Sequence, residues 1–153
     1  MQHQTVLVTD FDIRLLQSLV EGPRSRDQRE SNYVESLEGY LDEAEILPAD
    51  RIGPDVVTMN SEVLVRDLET QGTIVFRVVY PNEADAGTWR ISVLAPLGMA
   101  VLGRREGDTV TCQTPGGLRR LRVAQVLYQP EREGVDVVSR RTPSGLDQDR
   151  RRI

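Results

Sequence analysis

The segment ISVLAPLGMAVLGRREGDTVTCQTPGG, Ile91 to Gly117, decides the fold because it joins a strand, a short helix, a turn and a second strand in that order. A β-forming stretch ends at Leu94, and Pro96 suits the first turn of a helix because its missing N–H would be unpaired there. Gly103 is placed to end that helix. The turn signals Glu-Gly-Asp and Pro-Gly-Gly then bound the second strand. The segment therefore predicts a small β-sheet with one helix laid across it.

Further stretches rich in β-branched residues surround this segment. The strand candidates are Val56–Met59, Glu62–Arg66, Thr73–Tyr80, Trp89–Leu94, Asp108–Thr114 and Leu118–Tyr128. Apolar residues stand on both faces of the stretch from Thr73 to Tyr80, which favours an internal position in the sheet. Residues 48–138 are therefore predicted to form an antiparallel sheet of five or six strands with one short helix.

Two helices are predicted before the sheet. Thr9 or Asp10 can cap a first helix that runs to about Glu21. Its predicted apolar face consists of Phe11, Leu15 and Leu19. Asp27 can cap a second helix that runs to about Glu45. Its apolar residues follow the spacing of a coiled-coil seam and are Val34, Leu37, Leu41 and Ala44.

A short loop between two such helices favours an antiparallel hairpin. Residues 1–47 are thus predicted to be a short helical arm, and the whole chain is predicted to have an α+β fold. Residues 139–153 contain Pro143, Gly145 and few apolar side chains, so this tail is predicted to be disordered.

Composition and charge limit the classes of partner. No apolar run approaches the ~20 residues that cross a bilayer, and the start of the chain lacks the pattern of a signal peptide. These features predict a cytoplasmic protein with no membrane partner. The single cysteine, Cys112, cannot form an internal disulfide, and its place in a strand favours a packed thiol.

The charge is unevenly distributed along the chain. Residues 1–47 carry ten acidic residues and four arginines, whereas the tail carries five arginines and two acidic residues. The formal net charge of the whole chain is −5. Neutralising the phosphates of a duplex needs a dense cationic face, so the composition argues against direct binding to duplex nucleic acid and favours a protein partner.

Several segments resemble the Gre superfamily of transcription elongation factors. They are LAPLGMAVLG at 94–103, DVVTMNSEVLVRD at 55–67, VVYP at 78–81 and LYQPE at 127–131. Within the superfamily these segments look most like its Rnk branch. The resemblance implies an FKBP-like β-sheet domain, RNA polymerase as the partner, and docking at the rim of its secondary channel. It implies no cofactor, and the oligomeric state that we expect is a monomer.

The length of the arm separates two functions within that superfamily. In the cleavage-stimulating members a long coiled coil reaches the active centre of the polymerase, where acidic residues at its tip help to hold a second Mg²⁺. The predicted helices here span only about 18 and 27 Å at 1.5 Å per residue. The resemblance therefore implies a non-enzymatic regulator that competes with longer-armed factors at the channel.

The predicted tip of the hairpin keeps the other function open. Asp27 and Glu30 have the Asp-x-x-Glu spacing that cleavage factors carry at their tip, and Arg24 and Arg26 precede the pair. The same spacing is also that of a capping box, in which Asp27 caps the helix and Glu30 reaches back to the cap N–H. The capping box needs no metal, and we expect none. A third alternative is an FKBP-like binding module that acts outside transcription.

The candidate docking surface lies at the start of the central short helix. In the Gre factors an acidic or amide residue, a Ser and a Pro contact the polymerase there, and the corresponding positions are Leu94, Ala95 and Pro96. We include Gly98, in the same helix, in this predicted surface. An apolar patch at these positions could pack against a partner helix. The alternative is that Leu94 is the last core residue of its strand.

Overall fold

The computed structural model describes residues 5–23 and 26–134 of the chain. Arg24 at the predicted tip and the predicted tail at 139–153 lie outside the described residues. The helices are α1 (Asp10–Glu21), α2 (Gln28–Asp42) and α3 (Pro96–Val101). The strands are β1 (Leu7–Thr9), β2 (Glu45–Leu47), β3 (Glu62–Asp67), β4 (Thr73–Val79), β5 (Arg90–Ser92), β6 (Thr109–Thr114) and β7 (Gly117–Tyr128). Three short 3₁₀ turns occupy Ala49–Arg51, Pro81–Glu83 and Ala86–Thr88.

The first helix has the predicted bounds but a different buried face. Thr9 is the cap, and its hydroxyl accepts the N–H of Asp12 at 3.0 Å. The buried residues are Asp12, Leu16 and Val20, whereas Leu15 is 42% exposed. The predicted face of Phe11, Leu15 and Leu19 is therefore wrong at Leu15, whereas Phe11 is half-buried and Leu19 packs against the edge of the core. The spacing of four residues is as predicted. The first buried position, however, is occupied by the carboxylate of Asp12, which accepts a hydrogen bond from a buried donor.

The second helix has the predicted seam and ends earlier than predicted. Val34, Leu37 and Leu41 are buried, and Asp27 is the cap, whereas Ala44, the fourth predicted seam residue, lies beyond the helix and is half-buried. The helix ends at Asp42 because the chain after it forms β2, which pairs in parallel with β1. The strand pairing fixes the base of the two helices, since both ends of the helical segment meet in one small sheet.

The main sheet has the strand order β5-β4-β3-β7-β6. Neighbouring strands are antiparallel except for β4 and β5, which are parallel. The sheet is therefore mixed rather than wholly antiparallel as predicted, because the 3₁₀ turns after β4 carry the chain back before β5 begins. The stretch Val56–Met59, predicted as a strand, forms only an isolated bridge from Val56 to Arg105. The internal position of β4 and the α+β class are confirmed.

One hydrophobic core joins the helices to the sheet. Leu16 and Leu37 from the helices lie in the same buried cluster as Val63, Phe76 and Val123 from the strands. The buried seam of the arm thus packs against the core face of the sheet, and its base is held by the rest of the protein. In the described part of the chain no helix is long and apolar enough to cross a membrane.

Candidate docking site

The loop before α3 is shaped by local hydrogen bonds. Ser92, at the end of β5, accepts the N–H of Leu94 on its hydroxyl at 3.0 Å and the N–H of Ala95 on its carbonyl at 3.0 Å. Ala95 is the cap of α3, and Pro96 is its first residue, as the sequence predicts. The chain therefore turns sharply from strand to helix, and these hydrogen bonds restrict the backbone conformation at this corner.

The four predicted docking residues differ in exposure. Leu94 is only 5% exposed and belongs to the hydrophobic core, so the alternative that it ends the core of its strand describes its position. Ala95 and Pro96 are half-buried and reach the surface, while Gly98 is buried. The surface that a partner could touch here consists of Ala95 and Pro96, with Leu94 and Gly98 beneath it.

A broad groove of about 1510 Å³ runs beside this corner, between α2, α3 and β6. Its apolar lining includes Tyr33 and Tyr40 from α2 and Leu97 and Met99 from α3. Sequence reasoning missed this groove. The seven-residue spacing of the two tyrosines places them on one face of α2, beside its buried seam, and is the signal that could have found it.

Tyr40 connects the arm to α3 across the groove. Its hydroxyl donates a 2.6 Å hydrogen bond to the carbonyl of Leu102, just after α3. The guanidinium of Arg104 lies 5.7 Å from the centre of its ring. Burial raises the pKa of Tyr40 above its ordinary value, and the nearby Arg104 opposes that rise. The phenol is therefore a neutral donor that holds the second helix against the sheet domain.

Replacement of Tyr40 by Phe is expected to lower the free energy of unfolding by about 1 kcal/mol, because one hydrogen bond is lost with little change in packing. Urea unfolding of the two proteins measures the difference. Tyr33→Phe is the matched control on the same helix face, and we expect it to have a smaller effect. Equal losses for the two variants would show that the bond to Leu102 does not stabilise the arm.

The described residues at the hairpin tip are exposed and do not gather into a metal site. Asp27 Oδ1 accepts the N–H of Arg29 at 2.9 Å, so Asp27 acts as a helix cap. This bond is the cap half of the predicted capping box. No group of three potential metal ligands occurs in residues 5–23 and 26–134. Arg26 is exposed beside the pair.

Comparison with known proteins gives consistent matches. The family described as "Transcription elongation factor, GreA/GreB, C-term" matches residues 52–128. The chain is 34% identical to the regulator of nucleoside diphosphate kinase of Escherichia coli (strain K12), over 88% of this chain and 97% of that protein. It is 36% identical to transcription elongation factor GreA of Thermotoga neapolitana, over 69% of this chain and 67% of that protein. The solved structure of the prokaryotic transcription elongation factor GreA/GreB from Nitrosomonas europaea aligns with a TM-score of 0.66 at 32% identity, covering 82% of this chain and 100% of that one.

Proposed function

Because the chain belongs to the GreA/GreB family of transcription elongation factors, we propose that it is a non-enzymatic regulator of RNA polymerase. It binds at the secondary channel and competes there with longer-armed Gre-type factors. The observation that carries this proposal is the length of the arm. The two helices contain 12 and 15 residues, which corresponds to about 18 and 22 Å at 1.5 Å per residue.

The base of this short arm is also fixed inside the protein. Leu16, Val20 and Leu37 are buried in the common core, so only part of each helix can project from the sheet. Activation of water between two metal ions needs carboxylates placed with little error. An arm that ends near the channel entrance blocks access without supplying those carboxylates to the active centre.

The extent of the sequence matches supports the same assignment. The match covers 97% of the Escherichia coli regulator but only 67% of the Thermotoga GreA. A third of that elongation factor thus has no counterpart in the aligned region.

We place docking at the corner formed by Ala95 and Pro96, with Leu94 and Gly98 supporting it from below.

A competition assay tests the proposal. RNA polymerase is immobilised, loaded with a Gre factor and titrated with this protein. We expect displacement of the Gre factor and no transcript cleavage when the protein is added alone to backtracked transcription complexes. Absence of polymerase binding would overturn the proposal and favour a binding module that acts outside transcription.

Substitution of Ala95 tests the docking corner without disturbing the core. Ala95→Glu adds a bulky carboxylate at the start of α3, where negative charge is tolerated by the helix. We expect a roughly 30- to 150-fold loss of polymerase affinity, because a bulky charge at the centre of the contact removes about two to three kcal/mol of packing. Ala95→Ser is the matched control, because a small cap residue is retained, and it should bind as the parent protein does. Unchanged affinity of a folded Ala95→Glu variant would move docking elsewhere.

A cleavage-stimulating factor remains the second candidate function. Asp27 and Glu30 are both exposed at the start of α2, at the hairpin tip, and this placement is the observation that favours it. If the protein stimulates cleavage, Asp27→Ala should abolish the activity. Cleavage that survives this substitution would exclude a metal-holding role for the pair.

A further inference from the structure

The main sheet has one face on the core and one open face. Val63 and Val65 of β3 are buried in the core, so the alternating residue Arg66 stands on the open face. In the strand register Arg66 lies directly opposite Arg122 of β7. Arg120, two residues before Arg122 on the same strand, shares that face. These three residues are the arginine cluster.

The neighbouring strand adds hydroxyl groups to the same surface. Thr109 of β6 lies opposite Arg122, and Thr111 lies opposite Arg120. Arg120, Arg122 and Thr111 are exposed, and Arg66 and Thr109 are half-buried. The open face therefore presents hydrogen-bond donors in two adjacent rows across three strands.

Carboxylates do not neutralise the arginine cluster. In the described part of the chain none of its three guanidinium groups has an acidic group within ion-pair distance. Arg119, the residue before Arg120, points to the other face and is bonded to Asp67 at 2.8 Å, with Glu69 at 3.7 Å. That pairing also holds the pKa of the Asp67 carboxyl below its ordinary value.

Such an arrangement is unfavourable for the isolated fold. Like charges directly opposite each other on adjacent strands destabilise a sheet, and Arg66 and Arg122 are such a pair. The chain as a whole carries a net charge of −5, so a cluster of positive charge is a local feature and does not follow from the overall composition. An anionic ligand bound to the open face would remove the repulsion.

We infer that the open face binds single-stranded RNA through its phosphates. Guanidinium groups donate paired hydrogen bonds that match a phosphate. Alternate residues on a strand, such as Arg120 and Arg122, are separated by about 7 Å, so each can contact a different phosphate. The cluster is too small and the chain too acidic for stable binding of a duplex.

An acidic polypeptide is the other class of anionic ligand, and the open face suits it less well. Protein interfaces depend on apolar or aromatic anchors that fill a pocket. Thr109 and Thr111 line the groove beside α3, but none of the three arginines does, and the one strongly exposed apolar side chain beside them on β7 is Leu118. A flexible chain of phosphates needs no such anchor, because charge and hydrogen bonding supply most of its affinity.

Fluorescence anisotropy with a labelled oligouridylate and the full chain tests the inference, and it requires no polymerase. We expect saturable binding whose logarithmic affinity falls with the logarithm of salt concentration with a slope of about −2, as for three phosphate contacts on a single strand. Arg66→Gln and Arg122→Gln should each weaken binding about fivefold or more. Arg119→Gln, on the other face, should bind as the parent protein does.

Thermal unfolding distinguishes a binding role from a structural role. Because the two opposed arginines repel each other, Arg122→Gln should leave the melting temperature unchanged or raise it while weakening RNA binding. Absence of RNA binding by the parent chain, or equal losses in Arg119→Gln and Arg122→Gln, would overturn the inference. Tighter binding of polyglutamate than of oligouridylate at matched charge and salt would identify the face as a site for acidic polypeptides and would also overturn it. Failure of polymerase binding alone would leave the result of this test unaffected.

Discussion

Gly98→Ala is expected to destabilise the fold strongly. A Cβ atom at Gly98 would lie 2.3 Å from the carbonyl oxygen of Ser92 and 3.2 Å from Cα of Val93. Both neighbours are backbone atoms at the end of β5, so no side-chain rotation can relieve the overlap. Crowding of a packed core commonly costs 1–3 kcal/mol, and we expect at least about 3 kcal/mol here because backbone must move. Circular dichroism and urea unfolding measure the loss.

The same substitution at Gly39 is the matched control. Gly39 lies in the middle of α2, is exposed, and has no atom within 4 Å of an added Cβ. Ala is favoured over Gly in a helix by about 1 kcal/mol, so Gly39→Ala should stabilise the protein. Opposite signs for the two variants would locate the requirement for glycine at the contact of α3 with β5. A Gly98→Ala variant as stable as the parent chain would contradict the packing described for this corner.

Gly98 supports the docking corner by packing inside the protein and not by contact with a partner. The sequence groups Gly98 with three residues that could touch a partner, but its lack of a side chain is required by packing inside the protein. Loss of polymerase binding in Gly98→Ala would therefore follow from distortion and destabilisation of the fold. Ala95→Glu remains the informative substitution, because Ala95 reaches the surface.

Features set by a few adjacent residues could be predicted from the sequence. A cap at Thr9 or Asp10, the start of α3 at Pro96 and the turn at Gly103 follow from local backbone chemistry, and the structure contains all three, with Thr9 as the cap. Gly103 has a φ of +79°, a conformation that favours glycine. The buried seam of α2 was predictable for a similar reason, since helical spacing alone identifies it.

Features set by distant pairing could not be predicted. The parallel pairing of β1 with β2 shortens α2, and the parallel pairing of β4 with β5 makes the sheet mixed. Neither pairing has a signal in the residues of one strand. The arginine cluster was hidden for the same reason, because Arg66 and Arg122 meet only through the register of β3 and β7.

The candidate docking site was predictable in position but not in exposure. The motif places Leu94, Ala95 and Pro96 at a strand-to-helix corner, and they are found there. Which of them faces the partner depends on how the end of β5 lies against the core, and that packing buries Leu94. We therefore keep contact with the polymerase at this corner as a proposal, and Ala95 and Pro96 are the residues at its centre.

Asp12→Ala is expected to weaken the attachment of the arm to the sheet domain. Asp12 is 1% exposed, and its carboxylate accepts the N–H of Met59 at 3.1 Å. Removal of the carboxylate leaves this buried N–H without that acceptor. Hydrogen bonds to charged groups contribute about 1.5–3 kcal/mol, so the free energy of unfolding should fall by about 2–3 kcal/mol. Urea unfolding measures the change.

Two controls separate this contact from general effects of charge. Asp12→Asn keeps an oxygen that can accept the N–H of Met59, so it should recover part of the lost stability. Asp10→Ala removes a carboxylate from the exposed first residue of α1, and surface substitutions of this kind usually change stability by less than about 0.5 kcal/mol. Equal effects of Asp10→Ala and Asp12→Ala would contradict the attachment.

Because α1 is joined to the Met59 loop through Asp12, the Asp12→Ala variant should also compete less well with a Gre factor while Asp10→Ala competes normally. A destabilised Asp12→Ala variant that still competes at the level of the parent chain would show that the arm needs no fixed orientation to occupy the channel.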